Sequence, residues 1–198
     1  MIKHIAILVS GNGSNMRAII NATKRGILKK IAKVILVISS NPTAYAIKYA
    51  ECENISTICV RNSELKNENF LNCMILRELQ NIKVDIICLA GYTRIISRNL
   101  IDTYHNRILN IHPSLLPKFG GKGMYGIRVH KAVIESRETK SGATVHFVDE
   151  GYDTGSIIMQ QEVKVLKTDT PNDLANRVLN VEHEIYPKAI KKIIENLK

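Results

Sequence analysis

Tryptophan is absent from this sequence of 198 residues, and the other aromatic residues are few. A hydrophobic core must therefore be built mainly from Ile, Val, Leu and Ala. Hydrophobic residues make up 45% of the chain, near the average of globular proteins, so a chain of this length can bury such a core. We expect one domain that spans residues 1–198.

Long apolar runs are absent as well. No stretch reaches the roughly 20 apolar residues that a membrane helix needs. The apolar run at residues 5–9 is too short for the central part of a signal peptide, and no cleavage site follows it. The sequence therefore predicts a soluble protein of the cytoplasm that has no membrane partner.

Cysteine pairs of the CxxC type are missing, and no cluster of cysteine and histidine has the spacing of a zinc site. We therefore expect no bound metal. The cysteines have apolar neighbours, which indicates reduced and mostly buried thiols. They are Cys52, Cys59, Cys73 and Cys88.

Acidic residues are outnumbered by basic ones, and the formal net charge of +10 favours anionic partners. The lysines are spread along the chain, and their densest cluster lies in a C-terminal segment with amphipathic helical spacing. We find no motif that binds nucleic acid. A small phosphorylated substrate therefore fits the charge better than a nucleic acid does.

Short apolar runs rich in β-branched residues alternate with helical patterns through the first half of the chain. Continuous apolar strands separated by helices predict a parallel sheet covered on both faces, which is a doubly wound α/β fold of the Rossmann type. The predicted strands cover residues 5–10, 34–39, 56–60, 84–90 and 108–111. The predicted helices cover residues 15–24, 44–53, 64–81 and 97–104.

The second half has a different pattern. Two further predicted strands, at residues 144–149 and 156–166, are joined by a loop that contains glycine and indicate a β-ribbon extension of the sheet. A closing helix is predicted at residues 173–197, with an interruption near Pro187 because proline removes a helical hydrogen bond.

A glycine-containing loop joins the first predicted strand to the first helix. Gly11 and Gly13 allow a tight turn, and the amides and dipole of the new helix favour an anion. We therefore predict that Gly13, Ser14 and Asn15 bind a phosphate; alternatively, the glycines only shape the turn. Met16 stands where a dinucleotide fingerprint has its third glycine, and no Walker loop is present.

Asn110 and His112 lie at the end of an apolar strand. Residues two apart in a strand face the same way, so both polar side chains point to the edge where such sheets bind ligands. An amide beside an imidazole can hold a developing oxyanion. The alternative for each residue is a purely structural role in the turn that begins at Pro113.

Asp153 is a candidate third member of this group. It lies in an acidic turn with a glycine on each side of it in the sequence, between the two late strands. A carboxylate near His112 would raise the pKa of the imidazole and keep it charged. The alternative is that Asp153 only bonds its own backbone.

Six segments, in order, resemble the phosphoribosylglycinamide formyltransferases, a branch of the wider formyltransferase family. Residues 110–117 (Asn-Ile-His-Pro-Ser-Leu-Leu-Pro) alone are typical of the wider family. The resemblance extends over essentially the whole chain. The segments are residues 10–15, 89–95, 110–117, 142–148, 153–155 and 182–187.

The resemblance implies an enzyme of purine synthesis that uses 10-formyltetrahydrofolate as co-substrate and no metal. Asn110, His112 and Asp153 would be catalytic. Gly13, Ser14 and Asn15 would bind the phosphate of the ribonucleotide substrate, with Glu182 near its ribose. The residues implied along the folate are Leu89, Thr93, Arg94, Ile95, Ile96, Asn110, Asp149, Glu150, Gly151 and Asp153.

Two departures from the family pattern concern the edges of the site. Asn67 stands where many members have an arginine for the folate tail, and Lys66 or Arg61 could supply that charge. The glycine-rich stretch at residues 119–126 is longer than in some relatives. It indicates either a mobile loop near the site, with His130 just beyond it, or a plain surface excursion.

Three other functions compete with this interpretation. Methionyl-tRNA formyltransferases carry a further C-terminal domain and formyltetrahydrofolate hydrolases a further N-terminal one, and we expect this chain to lack both. A non-catalytic nucleotide-binding module would give no reason for Asn110 and His112 to project together. The sequence leaves the oligomeric state open between monomer and homodimer.

Overall fold

The computed structural model describes residues 1–60 and 68–197, and a single sheet runs through this part of the chain. Its strands are β1 (Lys3–Val9), β2 (Ala32–Ser39), β3 (Ser56–Cys59), β4 (Ile86–Leu89), β5 (Ile108–His112), β6 (Lys140–Phe147) and β7 (Ile157–Lys164). Its helices are α1 (Ser14–Arg25), α2 (Tyr45–Cys52), α3 (Glu68–Asn81), α4 (Arg98–Thr103), α5 (Ile127–Glu135) and α6 (Pro171–Asn196).

The sheet has the strand order β3-β2-β1-β4-β5-β6-β7. The strands from β3 to β5 are parallel, whereas β6 and β7 pair antiparallel. The chain order reverses between β1 and β4, and ligands bind at such a switch point, beyond the carboxyl ends of the strands. The loops after β1 and β4 meet there, because Ser10 N donates to the carbonyl of Gly91 over 3.1 Å.

Both faces of the sheet are covered by apolar helices. Along β1, Ile5 and Ile7 face a core that includes buried residues of α1, α2 and α6, whereas Ala6 and Leu8 face the core built with α3 and α4. Such burial on both faces explains why the parallel strands are continuously apolar in sequence. The predicted doubly wound α/β fold is confirmed.

Three elements differ from the sequence prediction. Strand β6 begins at Lys140, earlier than expected, and pairs directly with β5, so the predicted ribbon continues the main sheet. Helix α5 was not predicted, because the glycine-rich stretch before it suggested a loop. The predicted interruption at Pro187 was wrong, since α6 is continuous and Pro187 is buried within it.

Only one of the cysteines is buried. Cys88 lies inside β4, but Cys52, Cys59 and Cys73 are exposed, so the prediction of mostly buried thiols was wrong. Cys52 ends α2, and Cys59 lies on β3, the edge strand of the sheet formed by the described residues.

Two further sequence predictions concern the folate tail and membrane helices. The candidate folate-tail residues Arg61, Lys66 and Asn67 lie outside the described residues, as does the start of the helix predicted at 64–81. Within the described ranges, none of the helices combines the length and the apolar character needed to cross a membrane.

Tyr186 links α6 to the middle of the sheet. Its fully buried hydroxyl lies 2.9 Å from the carbonyl oxygens of Leu89 and Leu109, which lie on the adjacent strands β4 and β5. Tyr186→Phe should lower the free energy of unfolding by about 1–3 kcal/mol, because a buried acceptor loses its donor. Denaturant unfolding measures this, with Tyr45→Phe on the exposed ring of α2 as control. Equal effects of the two substitutions would contradict the assignment.

Candidate active site

The N-terminus of α1 is shaped to receive an anion. Gly13 precedes the helix with φ 73°, and a Cβ at this position would lie 2.8 Å from the Cβ of Ala46. Glycine is therefore required both by the left-handed backbone and by the close neighbour. The first turn contains no acidic residue, and no described side chain caps it, which leaves the amides of this turn available to a phosphate.

A buried polar pair adjoins this turn. Asn15 Nδ2 donates to Glu182 Oε2 of α6 over 2.6 Å, and both side chains are buried. Burial raises the pKa of Glu182 to about 7, although the hydrogen bond from Asn15 acts in the opposite direction. Within the described part of the chain, Asn15 Oδ1 is buried without a hydrogen-bond partner. The pair thus offers polar atoms to a ligand that carries hydroxyl groups next to its phosphate.

The loop after β4 contains the first group of predicted folate residues. Thr93 N donates to Ser10 Oγ over 2.9 Å, which fixes this loop against the end of β1. Ile95 is 57% exposed and Ile96 is buried, so Ile95 presents an apolar surface on a loop whose base is fixed. Leu89 is buried at the end of β4, and Arg94 is partly buried.

The loop after β6 contains the second group. Asp149 Oδ1 accepts hydrogen bonds from Gly151 N at 3.0 Å and from Thr154 Oγ1 at 2.7 Å, so this carboxylate shapes its own loop. Glu150 lies 3.3 Å from Arg98 of α4, which ties this loop to the neighbouring helix. The loop ends by presenting Asp153, whose φ of 58° is left-handed.

Asp153 meets Asn110 and His112 at the carboxyl end of β5. Asp153 Oδ2 lies 3.4 Å from His112 Nδ1, and Asp153 Oδ1 lies 3.4 Å from Asn110 Nδ2. Gly121 N also donates to Asp153 Oδ2 over 3.0 Å. His112 Nε2 lies 2.8 Å from the carbonyl oxygen of Phe119. The structure therefore brings together the three residues that sequence reasoning grouped, and places the 119–126 loop against them.

Comparison with known proteins assigns the family. A model of the formyl transferase family matches residues 3–190. The chain belongs to the formyl transferase family. Phosphoribosylglycinamide formyltransferase, chloroplastic, of Vigna unguiculata is 42% identical over 193 residues, which are 98% of this chain and 61% of that protein. The chain thus spans less than two thirds of the length of this curated relative.

Solved structures give the same result. Glycinamide ribonucleotide transformylase 1 from Symbiobacterium toebii superposes with a TM-score of 0.91 and 36% identity, covering 98% of this chain and 89% of that chain. Phosphoribosylglycinamide formyltransferase from Brucella melitensis gives a TM-score of 0.89 and 38% identity, with coverages of 98% and 96%. The family predicted from the sequence is confirmed.

His112 of this formyl transferase is less basic than predicted. Burial lowers the pKa of His112 below its ordinary value, and this effect outweighs the charge of Asp153 and the Phe119 carbonyl, both of which raise it. The expectation that Asp153 keeps the imidazole charged was therefore wrong in its net direction. The charge of Asp153 does raise the pKa of His112, as predicted. The sequence could not reveal how deeply His112 is buried.

Asp153 remains a carboxylate. Burial alone would raise the pKa of Asp153, but the neighbouring His146 and His112 and the Gly121 amide together lower it below its usual value. The acid is thus ionised at neutral pH, next to a histidine that is easily neutral.

Sequence reasoning missed His146 of β6. This side chain is 2% exposed, and its Nε2 lies 3.1 Å from Asn110 Nδ2 and 3.6 Å from Asp153 Oδ1. Strand alternation was the available signal, because Thr144 and His146 share one face of β6 just as Asn110 and His112 share one face of β5. The antiparallel pairing of the two strands, which the sequence did not predict, was needed to bring those faces together.

His130 is a second buried histidine, on α5. Burial and then the charge of His112 lower the pKa of His130 to about 4, and no described group bonds its Nδ1. It is therefore neutral and lies near the formyl transferase site without sharing Asp153. Among residues 1–60 and 68–197, no group of three or more His, Cys, Asp or Glu side chains could hold a metal ion.

The raised pKa of Glu182 predicts a pH dependence of stability. The folded protein binds this proton with a pKa of about 7, against the ordinary value of 4.5. Because the folded state then holds more protons than the unfolded chain, the free energy of unfolding should fall by roughly 3 kcal/mol as pH rises through this interval. Glu182→Gln, which stays neutral, should flatten the profile.

Denaturant unfolding at several pH values measures this effect. Glu184→Gln is the matched control, because Glu184 is exposed on the same helix and forms an ion pair with Lys188 at the surface. If Glu182→Gln leaves the profile as steep as Glu184→Gln does, Glu182 is not the titrating group.

Proposed function

We propose that this protein transfers the formyl group of 10-formyltetrahydrofolate to the amine of 5-phosphoribosylglycinamide in purine biosynthesis. The observation that carries the proposal is the grouping of Asp153 with Asn110 and His112, on the sheet edge that also holds the start of α1. The group of Asp153, Asn110 and His112 is suited to acyl transfer, and the start of α1 is suited to binding a phosphate. The family relationship supports the same substrates, since relatives are named for this reaction.

The ribonucleotide would lie between α1 and α6. Its phosphate would accept hydrogen bonds from the amides of Gly13, Ser14 and Asn15, where the helix dipole favours a dianion. Glu182 would accept a hydrogen bond from the ribose, next to the Oδ1 atom of Asn15 that has no described partner. This placement directs the glycinamide amine along the sheet edge towards β5.

The formylfolate would lie between the loops after β4 and β6. The apolar face of Ile95 suits an aromatic ring, and the backbone at Thr93 to Ile96 offers hydrogen bonds to a pterin edge. The loop at residues 149–153 would close over it, with its shape fixed by the Asp149 carboxylate. The formyl carbon then reaches Asn110, His112 and Asp153.

The chemistry is a direct attack of the amine on the formyl carbon. A tetrahedral intermediate forms with negative charge on oxygen, which N–H donors of Asn110 and His112 stabilise. The new negative charge favours the imidazolium of His112, which burial disfavours before the reaction. Asp153 and His112 accept the proton that the amine loses, and N10 of the folate gains a proton as its bond to the formyl carbon breaks.

The proposal includes the setting of the enzyme. We place it in the cytoplasm as one formyltransferase domain over residues 1–198, working as a monomer or homodimer without metal, nucleic acid or membrane. Gel filtration and the activity of protein treated with a chelator examine the oligomeric state and the metal independence.

Formyl transfer by the purified protein tests the reaction. Loss of the folate formyl group should require the ribonucleotide, and Asn110→Ala should lower kcat by about 10²–10³-fold, as expected for the loss of an oxyanion donor. His112→Ala and Asp153→Asn should also be slow. Turnover without the ribonucleotide would instead indicate a hydrolase, and transfer to methionyl-tRNA alone would indicate the tRNA enzyme.

Gly13→Ala tests the phosphate position. The added methyl group would clash with Ala46, and an alanine would have to adopt the left-handed φ of 73°. The turn should therefore shift, and its amides should bind the phosphate less well. We expect the KM for the ribonucleotide to rise about tenfold, which corresponds to one lost hydrogen bond to a charged group. Gly11→Ala is the control, because a Cβ at Gly11 meets no atom within 4 Å. A rise in the KM of the folate alone would contradict the placement.

A further inference from the structure

The buried side chain of His146 lies close to both Asn110 and Asp153. It lies directly opposite Asn110 in the antiparallel pairing of β5 and β6. A register shift between Val145 and His146, on the side of β6 that pairs with β7, interrupts the regular ladder at this point. Such irregularities re-aim side chains, and this one coincides with the residue that contacts the reaction centre.

The hydrogen bonds of His146 define its tautomer. His146 Nδ1 lies 2.7 Å from the carbonyl oxygen of Phe147. A carbonyl oxygen can only accept, so Nδ1 carries the proton. In the neutral ring, Nε2 then has a lone pair and needs a donor. The atom in position to donate is Asn110 Nδ2, at 3.1 Å.

This requirement determines which end of the Asn110 amide faces the reaction centre. One hydrogen of Nδ2 bonds to His146 Nε2. The other is directed towards Asp153 Oδ1 over 3.4 Å, a distance longer than a good hydrogen bond, so an incoming oxyanion can replace that contact. If the amide were reversed, its oxygen would face the lone pair of His146 and the carboxylate of Asp153, and both contacts would be repulsive.

We propose that His146 is a positioning residue for formyl transfer, which holds the amide nitrogen of Asn110 towards the formyl oxygen. The inference depends on the proposed function of Asn110 as an oxyanion donor. In this proposal His146 acts through Asn110 and not by contact with the reacting atoms.

Two substitutions of similar polarity separate the two nitrogens. His146→Gln places an oxygen near the position of Nε2, where it can accept from Asn110. His146→Asn keeps an amide near the position of Nδ1, which can still donate to Phe147, but leaves the Nε2 position empty. We expect His146→Gln to keep most of kcat, and His146→Asn to lose up to the about 10²–10³-fold of a missing oxyanion donor. The KM of the ribonucleotide should stay unchanged in both variants.

The effect of His146→Asn should disappear in an Asn110→Ala background, because no amide remains to be oriented.

Equal kcat values for the two variants, or losses that multiply with Asn110→Ala, would overturn the proposal. Such results would leave formyl transfer itself intact, provided that Asn110→Ala alone is slow. If Asn110→Ala is fully active, it is the assignment of Asn110 as a donor that fails, and the positioning role fails with it.

Discussion

The carboxylate of Asp153 is the acceptor on which the whole site depends. It accepts from the amide of Gly121 and lies within 3.6 Å of side-chain nitrogens on two different strands. Asp153 can reach this position because the loop after β6 turns very tightly. A Cβ at Gly155 would lie 1.9 Å from the carbonyl oxygen of Phe147, so only glycine lets the chain pass there. The left-handed backbone of Asp153 then directs its side chain into the cleft.

The antiparallel pairing of β5 and β6 supplies the other partners of this carboxylate. Directly opposed residues in such a pair share one face, so Asn110 meets His146 and His112 meets Thr144. Thr144 also forms hydrogen bonds of its own: its hydroxyl donates to the carbonyl of Ser114 over 2.6 Å and accepts from Leu116 N. These bonds fix the turn that leaves β5 just after His112. Because β6 runs antiparallel, a single strand pair both orients the polar side chains and fixes the chain that follows them.

Much of the fold could be predicted from the sequence, because its signals are local. Runs such as β1 and β2 are apolar without interruption, since both faces of the sheet are covered, and this pattern is visible in the residues themselves. Helix α5 was hidden because its favourable residues follow a stretch of glycines, which predicts a loop. The helix interruption predicted at Pro187 was wrong because a local signal was overridden by tertiary packing. The packing of the long helix α6 outweighs the hydrogen bond that proline removes. Burial of individual cysteines also depends on which helix face or sheet edge they occupy.

The site could be predicted only in part, for the same physical reason. Asn110 and His112 are two residues apart in one strand, so their common direction follows from strand geometry. The approach of Asp153 depends on a loop, and that of His146 depends on which strand pairs with β5, and neither is a local property. The family resemblance supported the choice of Asp153 but did not draw attention to His146, which lies inside one of the segments that carried the resemblance.

Burial also disfavours the charged forms of three other ionisable groups in or beside this site. Burial holds the pKa of His112 and of His130 below the ordinary value and raises that of Glu182 to about 7. A permanently charged His112 would form a full ion pair with Asp153, and part of its attraction for an oxyanion would already be satisfied. A neutral ring that becomes charged as negative charge forms instead interacts most strongly with the intermediate, which is the condition for lowering a barrier rather than only binding a substrate.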